Sequence, residues 1–310
     1  MAKYAAIDIG SNSVLMYVAE YNQDGRWKTL ADRGESPRLG EGLQATGLLK
    51  PEAMERTIEV LSRFVQVAKD YRVDSIVAVG TMCLREARNA DAFLQRAQKE
   101  CGLSVEVISG EEEARLAYLS AKHGLNLNDS RFVIFDIGGG STEFIFGRGE
   151  RITRRLSLNL GAIGLTEKYL TSDTVTKEQL AELLSVIAAS LDNIVLEGEV
   201  IAPVGIGGTM TTIGAVMHRL TIYDPEVVHG TVLRFSEVER QMELYRSRTV
   251  EARKSIIGLQ PGRADIILAG VGIVYCLMKK LGVDSAIISD RGVRHGLLLD
   301  RFEMNAMKAD

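Results

Sequence analysis

The sequence predicts an α/β protein in which one unit occurs twice, as two lobes around a cleft. Three observations point there. An acidic residue, an aliphatic, a glycine and then small hydroxyl residues occur in AAIDIGSNSV from residue 5 and again in FDIGGGSTEF from residue 135. Three strand-like segments followed by alternating helix and strand patterns occur in each half. Later stretches echo as well: VAVGT at 77–81 holds the place that PVGIGGT at 203–209 holds in the other half, and VISGEEEARLA mirrors IISDRGVRHGL. Self-similarity at half the chain length means two copies, too few for a solenoid and right for two lobes.

The first copy opens with the strands AAIDIG, VLMYVAEY and WKTLADR, with a turn at Gln23-Asp24-Gly25 before the third. Pro51 then begins a helix, because its fixed φ suits a first turn, and Met54, Ile58, Leu61, Val65 and Ala68 recur along one face. The strand SIVAVGT, a helix around NADAFLQRAQKE, the strand SVEVIS and a helix from near Gly110 complete it. After the polar joint KHGLNLNDSR the order restarts with the strands RFVIFDIGGG, STEFIFG and ERITRRLSLNLG. Helices around LTEKYL and KEQLAELLSVIAASL, the strand IAPVGIGGT, an apolar helix, the strand SAIISD and a closing helix GVRHGLLLDRF follow. The domains expected are residues 1–125 and 126–310.

Composition narrows the function. The 310 residues are 46% hydrophobic and 25% charged, ordinary for a globular chain with a core in each domain. A net charge of −4, with 37 Lys and Arg scattered among 41 acids, argues against a broad nucleic-acid surface, which needs a basic stripe. Any anion must therefore be gripped locally. Cys83, Cys101 and Cys276 show no CxxC spacing, so a reducing cytoplasm is expected rather than a disulfide framework or a zinc site. MAKYAAIDIG does not read as a signal peptide, and the longest apolar run, Ile266 to Met278, is too short to span a bilayer, so no membrane partner is expected. That run reads as a buried helix in which Gly270 and Gly272 allow close packing.

Glycine-rich loops after apolar strands leave backbone N–H groups free to point at an oxyanion, because glycine adopts unusual dihedrals and has no side chain to block approach. Gly138, Gly139, Gly140, Ser141 and Thr142 form one such loop, Gly10, Ser11, Asn12 and Ser13 a second, and Gly205, Gly207, Gly208 and Thr209 a third. Any one of them alone is equally a tight hairpin; three in a duplicated chain favour phosphate. Asp8 and Asp136 end buried-looking strands, where a carboxylate needs a cation or a turn-capping role, and Glu143 stands close enough in sequence to Ser141 to join them. In SGEEEAR, Ser109 and Glu112 form a capping box and Glu111 complements the helix dipole, which leaves Glu113 on the face of Leu116 and Ala117. On pattern alone Glu113 is either solvated or turned to a cleft. Arg85, Arg291 and Arg294 are each either surface arginines or phosphate partners. A helix N-terminus offers only about half an elementary charge, so a phosphate chain needs some such cation. The four histidines show no ligand spacing.

AIDIGSNS, SGEEEAR, FDIGGGSTE, GIGGT and PGRADI with SDRGVRHG together resemble the Ppx/GppA phosphatase family, the exopolyphosphatases and guanosine pentaphosphate phosphohydrolases, from about residue 4 to residue 301. The resemblance implies a duplicated actin-like ATPase (ribonuclease H-like) fold with the ligand between lobes. It implies Glu113 as the base that activates water, Arg85 at the end of the phosphate chain, and Mg²⁺ at Asp136 and Glu143 with Asp8 nearby. Ser11, Asn12, Gly138, Gly139, Gly140, Ser141, Gly207, Gly208 and Thr209 would bind phosphate. Because the chain stops at Asp310, it is similar to the short, two-domain members, and His295 stands where many relatives carry an acid. The substrates implied are inorganic polyphosphate and pppGpp, without a preference between them. Two rivals stand beside this: an ATP-dependent small-molecule kinase of the same superfamily, against which Glu113 argues, and a non-catalytic polyphosphate or guanosine-nucleotide sensor. A homodimer is compatible with these patterns and is not determined by them.

Overall fold

The same sheet is built twice. In the computed structural model, which describes residues 2–22, 26–125, 127, 131–149, 151–192, 194 and 202–303, the first sheet joins β1 (Ala2–Ile9), β2 (Val14–Tyr21), β3 (Trp27–Glu35), β4 (Ser75–Gly80) and β5 (Glu106–Val107). Their order is β3-β2-β1-β4-β5, antiparallel among β1 to β3 and parallel from β1 to β4 to β5. The second sheet contains β6 (Arg131–Ile137), β7 (Thr142–Arg148), β8 (Arg151–Leu158), β9 (Ala202–Ile206), β10 (Val232–Arg234) and β11 (Ser285–Ile288). It runs β8-β7-β6-β9-β11 with the same senses, and β10 is added antiparallel at the edge. This is the duplicated α/β architecture that the internal repeat predicts.

Strand β1 buries Ala5, Ala6, Ile7 and Ile9, and β6 buries Phe132 to Phe135 and Ile137, runs too continuous for a strand with one wet face. Such strands are central and covered on both sides. Each sheet has its own apolar core: Ile7, Leu61, Phe64 and Phe93 belong to the first, Phe135, Phe144, Ile213 and Leu268 to the second. The helix Pro51–Asp70 buries Met54, Ile58, Leu61, Val65 and Ala68, the face its sequence spacing marks. The apolar helix is Ile267–Leu281 and packs on Lys177–Leu191 and Phe235–Arg246. At Gly270 a Cβ would lie 2.8 Å from Thr209 Cγ2, so the close approach there requires glycine. Among the described residues no helix is long and apolar enough to cross a membrane.

Contacts divide the chain into Met1–Ser120 with Gly292–Asp310, and Ala121–Arg291. The division expected at 125/126 differs at the end of the chain, because the closing helix Val293–Leu298 returns to the first sheet. Arg294 donates Nε and Nη2 to the two carboxylate oxygens of Asp32 on β3, both at 3.0 Å, and His295 Nε2 lies 3.4 Å from the same carboxylate. Burial by itself would raise the Asp32 pKa, but Arg294 and His295 outweigh it and hold it at about 2. An acid in place of His295 would face Asp32 directly.

Three segments differ from their sequence reading. SVEVIS forms strand only at Glu106–Val107, both exposed. The GGT of IAPVGIGGT is not strand: β9 ends at Ile206, and Gly207 opens the helix Gly207–Met217. Between that helix and Ile267, sequence reading assigned nothing, and the structure has helices Pro225–Val228, Phe235–Arg246 and Val250–Arg253 with β10. The turn at 23–25 and most of the joint at 126–130 lie outside the described residues.

Candidate active site

In the second unit, β6 and β7 are joined by Gly138 to Ser141, and the Gly138 N–H donates to the Ser141 carbonyl at 2.9 Å. Gly10 donates to the Ser13 carbonyl at 2.9 Å in the first unit, the same turn in the other copy. The repeat extends to a threonine latch: Thr81 Oγ1 reaches the Ile9 carbonyl and Thr209 Oγ1 the Ile137 carbonyl, over 72 residues in each case.

The direction of the peptide groups decides what the second loop can hold. Carbonyls of Gly138 and Gly139 accept from Ala162 and Ile163, capping the helix Ala162–Tyr169. Gly161 packs so closely beneath the turn that its Cβ would lie 2.3 Å from the Gly139 oxygen. With one side closed and the carbonyls turned to it, the Gly139 and Ser141 amides donate to no other described residue. Unpaired amides in a tight turn form an anion nest.

Carboxylates lie immediately beside this nest. Asp136 and Glu143 are directly opposed in the β6–β7 register, so both project from one face. Like charges in that relation repel unless a cation lies between them. Asp136 also faces the start of the helix Gly207–Met217: Gly207 has φ +81°, and a Cβ there would lie 2.2 Å from Asp136 Oδ1. A carboxylate is favourable at that end of a helix. Arg263, from PGRADI, lies against Gly208, where a Cβ would meet its Nη1 at 2.1 Å. The arginine brings a full positive charge to the start of that helix from a segment remote in sequence. Local pattern in PGRADI gives Arg263 no role; only its packing against Gly208 does.

In the first unit Glu113 lies in the opening turn of the helix Gly110–Leu125. Arg85, in the short helix Met82–Glu86 after β4, donates Nη1 to Glu113 Oε2 at 2.8 Å and to the Ile108 carbonyl at 2.9 Å. Burial raises the Glu113 pKa above the usual carboxylate value, and the Arg85 hydrogen bond and charge only partly offset this. Asp8, at the end of β1, has its pKa pushed up to about 7 by burial and then by the Glu113 charge, against Arg294. Its Oδ1 is out of solvent with no hydrogen-bond donor, and so is Asn12 Oδ1. Two buried acceptors without donors are places where a water, an ion or a ligand group can complete the hydrogen bonding.

Several expected roles change. Ser109 caps the Glu112 N–H at 3.1 Å, but the Glu112 carboxylate grips Arg115 through both oxygens instead of closing the capping box. Glu113 is turned into protein, resolving that alternative. Arg294 is held by Asp32 rather than standing ready for phosphate. Gly207, Gly208 and Thr209 are a helix N-terminus rather than a loop, and the Thr209 hydroxyl serves the latch to Ile137. Ser141 gives its hydroxyl proton to Glu143 Oε1 at 2.5 Å, which leaves its amide for an anion. Ser11 hydrogen-bonds buried Cys83, so of the first loop it is Asn12 that presents an unused polar atom.

The model of the Ppx/GppA phosphatase family matches residues 18–304. Exopolyphosphatase 2 of Mycobacterium tuberculosis is 29% identical over 96% of this chain and 98% of its own length. The guanosine-5'-triphosphate,3'-diphosphate pyrophosphatase of Photobacterium profundum is 32% identical over 96% of this chain, which spans 59% of that relative. The crystal structure of the Aquifex aeolicus Ppx/GppA family member, 34% identical, superposes with a TM-score of 0.82, covering 100% of this chain and 99% of that one.

Proposed function

The chain belongs to the Ppx/GppA phosphatase family, and from that premise we propose that it is a phosphoanhydride hydrolase: an exopolyphosphatase that removes the terminal phosphate of inorganic polyphosphate and takes pppGpp as a second substrate. The carrying observation is the second unit's pairing of opposite holders: unpaired amides and Arg263 suit an oxyanion, and the opposed carboxylates of Asp136 and Glu143 suit a hard cation. A polyphosphate with its counter-cation needs both.

The donor set fits Mg²⁺, an oxygen-seeking ion that keeps several waters and bridges to phosphate. Asp136 and Glu143 would hold it, and the donorless Asp8 Oδ1 is the first unit's acceptor for such a charge. When bound, the ion neutralises charge on the phosphate oxygens. The chain's own groups do the remaining work. Amides of the Gly138–Ser141 turn orient the terminal phosphoryl group, and Arg263 offsets its charge. Arg85 holds the Glu113 carboxylate in one orientation. Glu113 takes a proton from water as the water oxygen bonds to the terminal phosphorus. The anhydride P–O bond breaks, releasing orthophosphate and a chain one phosphate shorter. Catalysis of this kind rests on positioning and charge rather than on a covalent intermediate. The raised proton affinity of Glu113 suits a base working nearer neutrality than an ordinary glutamate.

The test is orthophosphate release from short polyphosphate, long polyphosphate and pppGpp with Mg²⁺ and no acceptor. Glu113→Gln is expected to lower the rate by about 10²–10⁴-fold while leaving the fold intact. Tight substrate binding by the wild type without turnover would overturn the proposal in favour of a sensor.

A further inference from the structure

We infer that Arg253 is a positioning residue for Arg263: from inside the second unit's core it fixes the turn that carries Arg263 to the start of the helix Gly207–Met217. The inference rests on the reading of Arg263 as a phosphate partner and goes beyond it. Arg253 ends the short helix Val250–Arg253 and is only 1% exposed. Its Nε donates to the Tyr245 carbonyl at 2.7 Å and its Nη1 to the Ala264 carbonyl at 3.2 Å, and Ala264 directly follows Arg263. Tyr245 continues the connection. Its hydroxyl donates to Gln241 Oε1 at 2.7 Å, and Gln241 Nε2 donates to the Ile213 carbonyl at 2.9 Å as well as to Glu237. Ile213 lies in the helix that Gly207 and Gly208 open. The buried side chains of Gln241, Tyr245 and Arg253 therefore tie this helix to the segment whose Arg263 lies against its first turn, and the two ends meet again at Gly208.

Arg253 is built as a geometric clamp rather than as half of an ion pair. Asp173 and Asp265 act on it only at longer range, and its Nη2 is buried with no hydrogen-bond partner. A buried cation held in this way is costly, and a packed apolar side chain of similar volume commonly serves stability as well or better. What an apolar side chain cannot do is hold two carbonyls at a set angle. The guanidinium is planar and its donors form a rigid fork, so grasping Tyr245, at the end of the helix Phe235–Arg246, together with Ala264 fixes where the turn lies against that helix. The loop before the turn is tied elsewhere: Gly258 has φ +92°, and a Cβ there would lie 2.3 Å from the Ala215 oxygen, near the far end of the helix Gly207–Met217. Of these ties, the bond to Ala264 is the one that adjoins Arg263.

The experiment measures orthophosphate release from tripolyphosphate with Mg²⁺ for Arg253→Lys, Arg263→Ala and the double mutant, with the folded fraction of each followed by circular dichroism. A lysine keeps the charge but has a single nitrogen, which cannot span both carbonyls. A merely structural role would remove folded enzyme and lower kcat with KM unmoved, whereas a displaced Arg263 raises KM. Arg253→Lys is expected to raise KM about tenfold, in the direction of Arg263→Ala, and to add nothing once Arg263 is already alanine. Arg253→Met, which fills much of the same space without a buried charge, is expected to fold at least as well as the lysine variant and to raise KM by as much. If both Arg253 variants lower kcat alone, or their effect on KM multiplies with that of Arg263→Ala, the positioning role is refuted while Arg263 keeps its place at the phosphate. If Arg263→Ala leaves KM unchanged, the reading of Arg263 as a phosphate partner fails and takes this inference with it.

Discussion

Replacing Gly207 by alanine probes the junction on which the second unit's site depends. Two penalties add. The backbone at φ +81° lies in the left-handed region, where a side chain costs about 1–2 kcal/mol. The new methyl would also fall 2.2 Å from Asp136 Oδ1 and 3.2 Å from its Cγ, well inside contact distance, so the carboxylate or the helix start must shift. A displacement of this kind costs on the order of 0.5–3 kcal/mol. The sum is about 1.5–5 kcal/mol, which for a unit of this size lowers the unfolding midpoint by about 3–20 °C. Scanning calorimetry in metal-free buffer measures it. The decisive comparison is the double mutant with Asp136→Ala, which removes the clashing oxygen and leaves the backbone penalty. A coupling of about 0.5–3 kcal/mol between the two changes is expected. Strict additivity, or a Gly207→Ala protein as stable as the wild type, would refute the contact between Asp136 and the helix start.

Two titration experiments address the first unit. Arg85→Ala removes the group that opposes burial at Glu113, so the Glu113 pKa rises further, and a base with a higher pKa loses activity at a higher pH. The acid limb of the rate profile should move upward, with partial recovery of rate above it; an unmoved limb would show that Glu113 is not the base that titrates. Asp8 has a folded-state pKa of about 7 against 3.8 as its ordinary value, so the folded state binds the proton more tightly than the unfolded state. Stability therefore falls as pH rises from about 4 to about 7, and the ionised group weighs on the fold above that. Asp8→Asn should raise the unfolding midpoint at pH 8 in chelator-treated buffer and bring no gain near pH 4. An identical pH dependence in the mutant would remove Asp8 as the source.

Much was legible from local pattern. Central strands buried on both faces read as apolar runs, AAI before Asp8 and FVIF before Asp136, and the turns after them announced themselves by glycine and hydroxyl residues. The helical face from Met54 to Ala68 was legible for the same reason: its period is set within a few residues. The stretch from Gly207 hid its helix because two glycines and a threonine resemble a loop, and only the packing of Asp136 and Arg263 against them shows why those glycines start a helix.

The sequence by itself determined the duplication, the succession of most elements along each copy and the residue types that can meet phosphate and a cation, since these follow from periodicity and backbone freedom acting over short stretches. Only the tertiary structure decided which polar group each side chain meets. Arg294 joins Asp32, Arg263 reaches Gly208, the Thr209 hydroxyl goes to Ile137, and Arg253 spans Tyr245 and Ala264. Such partnerships depend on strand register and on segments that return from far along the chain, and no local pattern encodes where a distant donor will arrive.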